Sequence, residues 1–135
     1  MIGNLSFPHL NLAFAWVWIF LGFASGALMG MRFKNENWLG GYASFPRRLI
    51  RLGHISFLGL GLINFLFFFT VHALGVKSAV VDVAAWAFLV GGVLIPVCCA
   101  IMAFWKSARP VVVFAAPVTS LLLGGALTVY LILKP

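Results

Sequence analysis

The chain has 135 residues, of which 64% are hydrophobic and 8% charged, against roughly 25% charged in an ordinary soluble domain. Nine basic and two acidic side chains cannot cover a water-exposed surface, so the expected fold class is an all-α integral membrane protein, a bundle of four transmembrane helices with short loops. The formal net charge of +7 does not point to nucleic acid, because the basic residues sit at the ends of apolar runs, where they anchor topology and meet lipid headgroups.

The first apolar run extends from Leu10 to Met31, entered through Pro8 and ended by Arg32, Lys34 and Glu36. Its Ala24-Ser25-Gly26-Ala27 stretch is rich in small residues, but no basic segment precedes the run and it is longer than a signal core, so a retained span is expected. Gly22, Gly26 and Gly30 recur every four residues with Ser25 beside them. Such a ridge lets a second helix backbone come close and gain dispersion contacts that lipid cannot match.

Residues 32–48 form the one connection long enough to be a real loop, with a turn expected at Gly40-Gly41-Tyr42. Ser44 is placed to cap the second helix and Pro46 to occupy its first turn, ahead of an apolar run from Leu49 to Leu74. Arg47, Arg51 and His54 follow i, i+4, i+7 and form a cationic stripe entering the membrane. That stripe suits an anionic lipid head, a haem propionate or an acidic loop of a neighbouring subunit, and equally a set of snorkelling anchors. Asn64, the strongly polar side chain deep in this run, needs a carbonyl or hydroxyl on a facing helix, and Asn11 has the same need in the first. Phe65, Phe67, Phe68 and Phe69 are too many rings for one internal face, so some must meet lipid or a partner.

The third run, Val80 to Trp105, carries Gly91-Gly92, Pro96 and the adjacent Cys98 and Cys99. Neighbouring cysteines on a helix point about 100° apart and do not readily bridge, so they are read as small packing residues. Lys106-Ser107-Ala108-Arg109-Pro110 is expected as a tight hairpin connection to the fourth run, Val111 to Leu133, which contains Pro117 and Gly124-Gly125. Gly59 and Gly61 add to the sites of close approach, and hydroxyls near Pro117 are expected to satisfy the carbonyl that the proline frees.

Orientation follows from the cations. Arg32, Lys34, Arg47, Arg48, Arg51, Lys106 and Arg109 fall in the first and third connections, against Lys77 and Lys134 on the opposite side. Seven against two places those connections in the cytoplasm and both termini outside. Trp16, Trp18, Trp38, Trp86 and Trp105 are expected mostly near the interfaces, as an aromatic belt.

Histidines are the residues most able to carry chemistry at membrane depth. His54 and His72 lie eighteen residues apart on one helix face, about 27 Å along the axis and close to one membrane thickness. His9 falls at the depth of His72. Paired imidazoles on two helices could ligate a b-type haem, with Met29 or Met31 as the alternative partner for His54. The competing reading makes all three interfacial residues bonded to loops, lipid or a partner. Glu36 and Asp82 both lie outside the apolar cores, and no catalytic triad, phosphate loop or zinc-spaced cluster occurs, so catalysis by the chain alone is not expected.

Glycine ridges, an excess of bulky aromatics, short loops and the lack of a self-sufficient catalytic set make the expected function a non-catalytic subunit of a larger membrane complex, respiratory or electron-transferring, in a bacterial inner membrane beside other membrane subunits. The alternatives are a small b-type cytochrome and a small oligomeric channel or transporter.

Overall fold

The computed structural model describes residues 7–105 and 110–134. Within them lie four α-helices: α1 (Phe7–Met31), α2 (Phe45–Leu74), α3 (Ala79–Phe104) and α4 (Pro110–Leu133). Each is long and apolar enough to cross a membrane. The proposed hairpin at Lys106–Arg109 lies outside the described residues.

Helix α2 starts four residues before the apolar run, because polar groups begin it. Ser44 is extended and its Oγ accepts from the Arg47 amide at 3.3 Å, with Pro46 in the first turn. Gly75 ends it in the left-handed conformation (φ 63°), its amide donating to the carbonyls of Val71 and His72. Ser78 then caps α3, accepting from the Val81 amide at 3.4 Å.

Helix α3 is the axis of the bundle. It packs against α2 and α4 along its length and touches α1, while α2 packs against α1. Half of its most apolar stretch is buried, against 11% for α1 and for α4. Consecutive glycines make this possible by facing different neighbours. A methyl added at Gly91 would come within 2.6 Å of Leu121 on α4, and one at Gly92 within 2.7 Å of Phe14 on α1. Phe67, Val71, Ala84, Ala85, Phe88 and Leu131 fill the core at the end where α2 finishes, and Leu49, Met102 and Ala103 at the other.

The glycine ridge of α1 meets α2 of the same chain. Methyls at Gly22 and Gly26 would reach Leu58 at 2.5 Å and the His54 ring at 2.9 Å. Gly30, expected to continue the ridge, has nothing within 4 Å. Gly59 and Gly125 likewise face open space, whereas a methyl at Gly61 would lie 3.1 Å from the Ala15 carbonyl oxygen. Of the phenylalanine cluster, Phe67 and Phe68 turn inward and Phe69 outward.

Both internal prolines have their freed carbonyls met from another helix. Pro96 cannot donate to Gly92 O, and Trp18 Nε1 of α1 donates there at 3.1 Å. Pro117 cannot donate to Val113 O, and Cys98 Sγ of α3 does so at 3.3 Å. The expected local hydroxyl is not the donor: Thr119 bonds back to Ala115 and Ala116, and Ser120 crosses to Ala87 O at 2.7 Å. Trp18, half-buried at mid-helix, thus turns its indole N–H to α3.

Candidate functional site

Among the described residues, polar groups gather inside the bundle and at each of its ends. In the interior, Asn11 Nδ2 donates to Asn64 Oδ1 at 2.7 Å and to the Ala85 carbonyl at 3.2 Å, tying α1, α2 and α3 at one point. Asn64 Nδ2 donates in turn to Leu60 O at 2.9 Å. Both side chains are fully buried, and Asn11 Oδ1 has no donor among the described residues. The two asparagines thus answer one another, where the sequence offered only an unnamed carbonyl or hydroxyl.

At the end where α1 begins and α2 finishes, His9 and His72 line one cleft of about 470 Å³ together with Phe68, Lys77 and Asp82. His72 stacks on the Phe68 ring (5.9 Å between centroids, 12° between planes), and His9 meets the same ring edge-on at 5.4 Å. The structure therefore brings together the two histidines that share a depth, around one aromatic ring at the open end of the helices.

His54 is not with them. Its Nδ1 is 3.0 Å from Ser25 Oγ on α1, and its ring lies against Gly26, so the small residues of the α1 ridge create the space it fills. Ser25, Met29, Met31 and Trp38 line a second cleft of about 440 Å³ at this end.

The cationic stripe divides. Arg47 and Arg51 turn to the loop, and His54 turns to α1. The loop is shaped by three consecutive left-handed residues: Leu39 (φ 56°), Gly40 (φ 84°) and Gly41 (φ 98°). Leu39 carries a side chain there, a conformation costing about 1–2 kcal/mol, and its carbonyl is fixed by Ser44 Oγ at 2.6 Å. This reversal lays Trp38 and Tyr42 over Arg47, with ring centroids 5.4 and 5.1 Å from its guanidinium carbon. Arg51 shares the Tyr42 ring at 4.9 Å. Arg47 is 3% exposed, so it is an enclosed cation rather than a snorkelling one.

Among the described residues, no cluster of three or more His, Cys, Asp or Glu could hold a metal ion. Residues to which the sequence assigned other roles carry much of this geometry: Trp18 and Cys98 at the proline carbonyls, Phe68 between the histidines' contacts, and Trp38 and Tyr42 on the arginines. The first two were findable, since a proline always leaves the carbonyl four residues earlier in need of a donor. Comparison of the chain with protein-family models, curated proteins and solved structures finds no match.

Proposed function

We propose that this chain is a non-catalytic integral-membrane subunit of a larger membrane complex, set in a bacterial inner membrane with both termini on the non-cytoplasmic side. The observation that carries the reading is the use made of the polar groups within the spans. Asn11 with Asn64, Trp18 with Gly92, Cys98 with Val113, Ser120 with Ala87 and Ser25 with His54 each join two helices of this chain. The interior chemistry fixes helix positions, and the outward side of α1 keeps a row of large apolar residues, Trp16, Phe20 and Phe23. A rigid unit with apolar outer faces is suited to lateral packing in the bilayer. Seven basic residues in the first and third connections against two elsewhere support the orientation. The narrower assignment to a respiratory or electron-transfer complex draws on the histidines toward both ends of α2, His54 and His72.

A second reading, a small b-type cytochrome, draws on one observation, the shared cleft of His9 and His72. A single experiment separates the two: gentle detergent extraction, with a visible spectrum and mass spectrometry on the same peak. Partners at fixed stoichiometry without a haem band from this chain are the result expected of a subunit. A lone chain with a Soret band that His72→Ala abolishes would replace that reading with the cytochrome.

A further inference from the structure

Among the described residues, Arg47 has no carboxylate as a partner. Its contacts are the two ring faces and one long hydrogen bond, Nη1 to the Glu36 carbonyl at 3.4 Å, and its Nε is buried with no acceptor. An enclosed guanidinium with this little compensation is costly, and the cost falls when an anion completes its hydrogen bonds. Beside it is an open cleft of about 510 Å³ lined by Phe33, Glu36, Asn37, Tyr42 and Arg47 itself. Arg51 also contacts the Tyr42 ring, and Arg48, next to Arg47 in sequence, is exposed.

We propose that this cleft binds the phosphate of an anionic phospholipid headgroup, with Arg47 as the principal ligand and Arg51 as a second cation. A guanidinium fork matches phosphate oxygens, and the surrounding cations favour a headgroup of net negative charge over a zwitterionic one. The surroundings select lipid over free phosphate. Phe33 and Tyr42, which line the cleft, are both exposed, an apolar and aromatic wall suited to the boundary between headgroups and acyl chains. Glu36 opposes the anion and tunes the site downward. This site is independent of any subunit role.

The test uses the full chain reconstituted in phosphatidylcholine vesicles with spin-labelled phosphatidylglycerol or spin-labelled phosphatidylcholine as probe. The fraction of immobilised label gives the relative affinity. The wild type is expected to prefer the anionic probe. Arg47→Gln should lower that preference by about fivefold, in line with one basic residue at a charged surface, and Arg47→Lys should restore only part of it. Arg48→Gln, which removes an equal charge from an exposed position outside the cleft lining, should lower it less. Glu36→Gln should raise it, and this exposed substitution keeps the proposal testable where Arg47 variants fail to fold. Equal losses from Arg47→Gln and Arg48→Gln would overturn the site in favour of diffuse surface charge. Competition by millimolar inorganic phosphate would overturn the lipid as occupant. Absence of any anionic preference would also overturn it and leave an acidic segment of a partner protein as the counter-charge.

Discussion

Replacing Trp18 by Phe tests whether a side chain from one helix supports the proline break in another. The substitution removes the Nε1 donor to Gly92 O at 3.1 Å and part of the ring that stacks on Phe14 at 3.9 Å. An interhelical hydrogen bond inside a bilayer contributes about 0.6 kcal/mol on average and up to about 1.7. Lost aromatic contact adds about 0.5–1.5 kcal/mol, so Trp18→Phe should destabilise by about 1–3 kcal/mol. The two contributions separate in a Pro96→Ala background. Alanine supplies the missing amide, Gly92 O regains a donor in its own helix, and Trp18→Phe then costs only the packing part. The coupling energy of the cycle, measured by reversible unfolding in mixed micelles, should be about 1 kcal/mol. The matching cycle of Cys98→Ala with Pro117→Ala should have the same sign and a smaller size, since a thiol is a weak donor. Additive costs, within about 0.3 kcal/mol, would refute the idea that Trp18 stands in for the amide lost at Pro96.

Further predictions follow from the contacts of α2. Gly61→Ala would press a methyl against a backbone carbonyl 3.1 Å away and should cost about 1–3 kcal/mol, whereas Gly59→Ala, two residues along, meets nothing and should be neutral or stabilising in the same unfolding assay. Asn64→Leu and Asn11→Leu should each destabilise, and the double variant should cost less than their sum by about 1 kcal/mol, because each asparagine is the other's partner at 2.7 Å. Gly26→Ala should displace the His54 ring and break its contact with Ser25, visible as a shifted imidazole resonance, while Gly30→Ala should leave that resonance in place.

Composition made the fold class legible, because four apolar stretches in so short a chain have few other solutions in a bilayer. Local chemistry placed the Ser44 cap as well, since a capping serine acts on amides two or three residues away. Partner choice was legible only in part. The α1 ridge declared a close approach but could not name α2, nor show that Gly30 meets nothing, because a four-residue period says nothing about how far a neighbouring helix stays close. Asn11 and Asn64 each declared a need for hydrogen bonding, yet their pairing depends on helix rotation, which periodicity in a uniformly apolar run does not determine. Arg47 was the least legible. An arginine at a helix start reads as a surface anchor, and only the left-handed run at Leu39–Gly41 turns two aromatic rings over it.

The most direct test of the proposed subunit role is photo-crosslinking in intact cells from outward positions on the flanking helices. A photoreactive residue would replace Phe20 or Phe23 on α1 and Leu122 on α4, all strongly or half exposed. The account predicts a discrete protein adduct, of the same mass in repeated preparations, from at least one of these faces. Lipid adducts alone from every position would contradict it and leave a self-contained membrane protein in its place.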